Sequence, residues 1–157
     1  MKLTALVAQH IREVYEGENW TDIDLKDVII DITWNEAVED IPGLDNTIAM
    51  LVYHLKFYNE VVMERLNGNN PTINEANGFD MPDIKNELDW QRLTVQTHES
   101  FIRLAIAVEK FPEDRLFLST PGSENTYYKM LHGIAEHAHY HLGEIVYLKK
   151  LLRHDYI

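Results

Sequence analysis

The residues from Asn125 to Arg153, NTYYKMLHGIAEHAHYHLGEIVYLKKLLR, leave little choice of local structure. Apolar or aromatic side chains recur at Tyr127, Leu131, Ile134, Ala138, Ile145, Leu148 and Leu152, the alternating four-and-three spacing of a long helix packed in a bundle seam. Continuing that spacing from Ala138 lands on His141, so an imidazole stands where a leucine is expected. His137 precedes it by four residues and lies about 40° away on the helical face, close enough for two ring nitrogens to converge on one ion. Paired histidines at this spacing also arise without any metal. His132 and His139, seven apart, share a face roughly 200° from His137 and read as solvent or subunit-interface residues.

The absence of cysteine excludes a disulfide framework, a thiolate zinc site and a cysteine nucleophile, so any metal must be held by histidines and carboxylates. Acidic residues number 26 against 14 basic, a net charge of −12 spread along the chain, which argues against nucleic acid as a partner. The amino-terminal apolar run ends too soon, at Gln9, His10 and Arg12, to be a secretory signal, and no segment reaches the length of a membrane span. A cytoplasmic location with no membrane partner is the expectation. With 157 residues, 45% of them hydrophobic, and no repeat or linker, one domain over 1–157 is expected.

Three further helices follow from spacing and stop signals. Leu3, Leu6, Val7, Ile11 and Val14 predict a helix over about 2–16 ending at Gly17, with His10 beside the stripe as a half-buried residue with a backbone partner. Trp20 is expected to plug one end of the bundle, and 27–33 to be loop. Thr33-Trp34-Asn35-Glu36 has the form of a capping box for a short helix through Val38. After Pro42-Gly43, Asp45 or Asn46 is expected to cap a helix with a stripe through Ile48, Leu51, Val52, Leu55, Tyr58, Val62 and Leu66. His54 lies on the edge of that stripe, where a lone histidine is usually a packing residue. Residues 69–82 read as loop, and Asp80 and Pro82 suit the start of a helix carrying Leu93, Thr97, Phe101, Leu104, Val108 and Phe111 inward, with His98 at the surface. Residues 113–123 connect to the last helix, which Asn125 caps. Four amphipathic helices predict an all-α four-helix bundle, in which sites are built from inward side chains of facing helices.

The sequence GENW after the first helix, the His of LVYHLKFYNE and the motif HAHYHLGEI together resemble the DinB-like superfamily of four-helix bundles. That group includes metal-dependent hydrolases and the bacillithiol and mycothiol S-transferases. The resemblance implies an up-down-down-up topology, a metal triad on His54, His137 and His141, and a homodimer. Members typically show His, three residues, then His-x-Gly-Gln-Ile; here Glu144 replaces the Gln. Glu144 falls on the side of the helix that carries the two histidines, where it orients a ligand from behind or simply reaches solvent.

Three imidazoles leave positions open for chemistry, as catalytic rather than closed structural sites do. Such an ion, zinc or nickel first, lowers the pKa of bound water for hydrolysis or activates the thiolate of a small thiol such as bacillithiol. Hydrolysis needs an acid or base nearby, for which Glu144, Tyr58 and Tyr140 are the candidates; thiol transfer does not, and is the favoured expectation for a small-molecule substrate. The rival is a dimer that binds metal or ligand without turnover, and Tyr128, Tyr147 and Leu151, lying outside the inferred seams, are the residues a second copy would cover.

Overall fold

The computed structural model describes residues 2–153. Its helices are α1 (Leu3–Glu16), α2 (Leu25–Ile29), α3 (Trp34–Val38), α4 (Ile48–Leu66), α5 (Glu87–Lys110) and α6 (Tyr127–Leu152), with one 3-10 turn at Glu113–Arg115. Among the described residues the only β contact is an isolated bridge between Ser119 and Thr126. The long helix α5 packs on α1 and α4, and α6 packs on α4 and α1, so the four long helices run around the bundle in the order α1, α5, α4, α6. Consecutive helices α5 and α6 therefore do not form a hairpin, while α4 and α6 become neighbours. The expected stripes form the core, with Ile11, Leu51, Leu55, Leu104, Leu131 and Ile145 each at most 1% exposed.

Several boundaries differ from the sequence expectation, each for a local reason. The stretch expected as loop over 27–33 begins inside a helix, because Asp24 accepts a hydrogen bond from the Asp27 amide at 2.9 Å and the turn buries Leu25 and Ile29. Burial and a cap outweigh the β-branched composition there. The α3 capping box forms in both directions, with Thr33 Oγ1 accepting from the Glu36 amide and Glu36 accepting from the Thr33 amide. Thr47, rather than Asp45 or Asn46, caps α4 by accepting from the Met50 amide. Asn86, rather than Asp80 or Pro82, starts α5, its Oδ1 accepting from the Asp89 amide at 3.0 Å. Thr126, one residue after Asn125, caps α6 through the Lys129 amide.

Trp20 does not plug the bundle; it is fully exposed. Gly17 and Glu18 both take positive φ, 104° and 66°, and the turn they make sends Asn19 inward and Trp20 outward. Asn19 donates to the carbonyls of Glu13 at 2.9 Å and Ile23 at 2.8 Å, so an amide rather than an indole organises this turn. The tryptophan that enters the core is Trp90, 2% exposed, whose Nε1 donates to the Ile32 carbonyl at 2.8 Å. At the far end of α6, Lys149 and Arg153 donate to Asp31 at 2.6 and 2.8 Å, and Arg153 also donates to Glu36 at 2.8 Å. These hydrogen bonds hold both carboxyls down to about 2 and tie the end of α6 to the α2–α3 segment.

Candidate metal centre

The contact between α4 and α6 brings one histidine to a pair that lies more than eighty residues further along the chain. His54 projects from α4, and His137 and His141 from α6, one turn apart. His137 Nε2 lies 3.0 Å from His54 Nε2 and 3.1 Å from His141 Nε2. His54 is 3% exposed and His141 8%. Three Nε2 atoms facing one another cannot all be satisfied among themselves, since each shared proton serves only one pair. The opposite nitrogens of two of the rings fare no better: Nδ1 of His54 and of His137 are buried without a hydrogen-bond partner among the described residues. Buried polar groups left unpaired are uncommon; Thr4 Oγ1 on α1 is the other one among the described residues, and the two histidines are the pair that lie together.

A divalent ion could be held by the three Nε2 lone pairs, which accounts for their facing one another; it would leave the Nδ1 atoms of His54 and His137 carrying the ring protons. With histidine nitrogens about 2.1 Å from a common ion, spacings of this size correspond to angles of roughly 90–95° at the metal, and a tetrahedral angle needs a widening of only about 0.3–0.4 Å. These three are the His, Asp or Glu group among the described residues whose ligand atoms, all within 4.8 Å of one another, could hold an ion. The charge state suits it as well. Burial first, then repulsion from His141, pushes His54 down to about 4, against a smaller upward pull from the backbone of Asn77 and Gly78, which lies near the ring but does not meet hydrogen-bond geometry with Nδ1. Burial, His141 and His54 push His137 to about 4 in the same way. Both rings are therefore neutral, the form that ligates, over the whole physiological range.

The remaining sequence candidates take distinct places. Glu144 accepts a hydrogen bond from Nδ1 of His141, which fixes the tautomer and leaves the Nε2 lone pair facing the other rings. Tyr58 packs edge-on to His54 and His137, with ring centroids 4.9 and 5.0 Å away, and its hydroxyl donates to Asn77 Oδ1. Tyr140 lies beside His141 at 5.1 Å but is 66% exposed. His132 is exposed and His139 half-buried on the face away from the triad, where His10 of α1, half-buried, meets them with ring centroids 6.4 and 5.7 Å away. His10 thus has histidine neighbours rather than the expected backbone partner. His98 lies at the surface, its side chain 38% exposed, where it stacks on Tyr15 at 4.7 Å and comes within 3.3 Å of a Glu16 carboxylate oxygen.

Sequence reasoning missed the cover of the site. Phe79 stacks on His54, rings 4.0 Å apart and 10° from parallel, and arrives there from the non-helical 67–86 connection. Asn77 and Gly78 hold it in place with positive φ of 52° and 78°. Gly78 is buried against Phe57, and a Cβ there would stand 2.3 Å from Phe57 Cδ1. Asn77-Gly78 signals a turn in the sequence, but nothing in a non-periodic loop says which side chain it will cover.

Zinc or nickel should raise the melting temperature, by mass action worth about 2.7 kcal/mol at one hundred times the dissociation constant, and Ala at His54, His137 or His141 should remove most of that response while His132→Ala keeps it. Without metal, the unfolded chain binds more protons than the fold between about pH 6.5 and 4, so stability should fall as pH drops through that window, less steeply in His54→Phe. An unchanged metal response in His54→Ala would remove α4 from the site. Gly78→Ala should cost roughly 1–3 kcal/mol in urea unfolding and also weaken the metal response, although residue 78 offers no ligand; loss of stability with full metal affinity would show that the cover does not position His54.

No curated protein and no solved structure matches the sequence. A family model described as the DinB superfamily matches residues 25–145, a span that holds His54, His137, His141 and Glu144 and leaves out α1. The helical architecture and the histidine triad agree with that match, and the chain belongs to the DinB superfamily.

Proposed function

We propose that this protein is a metal-dependent enzyme of the low-molecular-weight thiol S-transferase class, with His54, His137 and His141 holding a divalent ion, zinc or nickel. The observation that carries the reading is the set of three desolvated imidazoles with converging Nε2 atoms beside a carboxylate that is already engaged. A bound ion supplies Lewis acidity that favours the thiolate of a small thiol such as bacillithiol. Glu144 orients His141 through Nδ1. Burial keeps His54 and His137 neutral, and Phe79 and Tyr58 shield their rings from water. A cavity of about 230 Å³ that shares Glu144 with the site, bounded also by Leu51, Asn46, Tyr147 and Leu148, gives the organic part of a small substrate a place to lie. Tyr140, exposed next to His141, is positioned to touch it.

Hydrolysis is the weaker reading, because it needs a free acid or base. Glu144 is bonded to His141 and the Tyr58 hydroxyl to Asn77, so using either breaks a contact that shapes the site; of the three candidates only the exposed Tyr140 is unengaged among the described residues. The decisive assay is conjugation of monochlorobimane with bacillithiol, compared with glutathione and with no thiol, each with and without zinc or nickel. Turnover is expected only with both thiol and metal, abolished in His141→Ala. Glu144→Gln, whose amide oxygen still accepts from Nδ1, should keep more activity than Glu144→Ala. Cleavage of esters or amides with no thiol-dependent turnover would replace this reading with the hydrolase; neither activity, with metal still bound, would leave a binding protein.

A second copy of the chain is the protein partner we propose, and a cytoplasmic location goes with it. Tyr147 is 57% exposed on α6, and Tyr128 and Leu151 on the same helix are half-buried. No described helix is long and apolar enough to cross a membrane, so these side chains are not accounted for by a membrane-spanning helix. Sedimentation at micromolar concentration should give about twice the 18.4 kDa chain mass; a monomer would remove the proposal.

A further inference from the structure

Where α4 ends and α6 begins, a cavity of about 300 Å³ is lined by Arg65, Asn70, Thr120, Gly122, Asn125 and Lys129. Two cations line it in a chain of net charge −12, and among the described residues neither forms a salt bridge. Arg65 is half-buried, which makes its lack of a carboxylate partner more telling than that of the exposed Lys129. Thr120 adds an independent observation. The residue is 5% exposed and its backbone amide is bound to the Asn125 carbonyl at 2.8 Å, while its hydroxyl, which has no hydrogen-bond partner among the described residues, is not among the buried orphaned atoms and so is open to the cavity.

The wall of the cavity is built in advance. Thr120-Pro121-Gly122-Ser123 is a turn closed by the Ser123 amide on the Thr120 carbonyl at 3.2 Å, with Gly122 at φ 71°. A Cβ at Gly122 would come within 2.2 Å of Asn70 Nδ2, the end of a side chain that can swing aside, so it is the left-handed φ that favours glycine there. The first amides of α6 are already used, Tyr127 on the Leu118 carbonyl, Tyr128 on the Leu116 carbonyl and Lys129 on Thr126 Oγ1. What the cavity offers a ligand is therefore side chains, not a helix terminus.

We propose that this cavity binds an oxyanion, the carboxylate or phosphate of a small molecule. Arg65 supplies a planar two-pronged donor, Lys129 a second positive charge and Thr120 a hydroxyl that orients the bound oxygen. The site is separate from the histidine triad: Lys129 precedes His137 by eight residues on α6, about 12 Å along the axis, and its occupancy does not depend on metal.

Backbone amide resonances followed by NMR test this with inorganic phosphate, with succinate, and with sodium chloride at matched ionic strength. Saturable shifts confined to Thr120, Gly122, Ser123 and Lys129 are expected with phosphate or succinate, and which of the two saturates identifies the phosphate or carboxylate class. Lys129→Gln and Arg65→Gln should each weaken binding about tenfold or more, and His54→Ala should bind as wild type. Arg65→Lys, which keeps the charge and loses the fork, serves if Arg65→Gln does not fold. Shifts reproduced by chloride, shifts that never saturate, or unchanged affinity in both Lys129→Gln and Arg65→Lys would overturn the proposal.

Discussion

Three imidazoles meeting at the contact of α4 with α6 impose a requirement that ordinary core packing does not. Polar rings taken out of water must be satisfied, and here two Nδ1 atoms are left orphaned while three Nε2 atoms face one another. That arrangement persists only because the hydrophobic stripes on either side, Leu51, Leu55, Ala138 and Ile145, hold the two helices together regardless of what the histidines prefer. The strain is local and the support is global, which is the usual economy of a binding site in a bundle. Helix order follows from the same need. If consecutive long helices had all paired as neighbours, α4 and α6 would stand at opposite corners; here α1 to α4 and α5 to α6 connect across the diagonals, which leaves α4 and α6 side by side.

The connections that permit this order are long, and each is held by polar contacts. Arg153 and Lys149 fasten the last turns of α6 to Asp31 and Glu36, using basic residues where a strongly acidic chain has most to gain from them. Buried Asn59 on α4 donates to Ser100 on α5 at 3.0 Å, and Ser100 donates to the Thr97 carbonyl at 2.7 Å, so the two helices that bracket the 67–86 connection are cross-linked inside the core. That connection is thus free to serve the site. It delivers Phe79 to His54 and lends Asn70 to the cavity beside Arg65, so one segment without regular structure contributes to two places on the molecule.

Glu144 shows how a single departure from a family motif acquires physical content. A Gln at that position offers Nδ1 of His141 a neutral acceptor; a Glu offers a charged one, which binds the ring N–H more strongly and makes Nε2 a better donor toward an ion. The same bond withdraws the carboxylate from use as a free base. Membership of the DinB superfamily goes with the helical frame and does not by itself say what the site does.

Much of this was legible in residue order alone. Periodicity of apolar side chains is a local property, so the four long helices, the place of His141 in a seam and the capping box at Thr33 could be read directly. The pairing of His137 with His141 is also local, since one turn of helix places them together. His54 is different: eighty-three residues separate it from His137, and only packing of α4 on α6 shows that its ring faces theirs rather than filling an ordinary core position. Helix caps shifted by one to several residues because neighbouring Asn, Asp and Thr compete for the same amides and geometry alone chooses among them. Trp20 and Trp90 look alike as large apolar residues, and a left-handed turn at Gly17-Glu18 put one in solvent while a hydrogen bond to Ile32 drew the other into the core. What sequence determined was each element that depends on spacing within a helix; what tertiary structure decided was every contact that depends on which helices become neighbours, because loop-borne residues such as Phe79 and Thr120 carry no periodicity to announce where they will land.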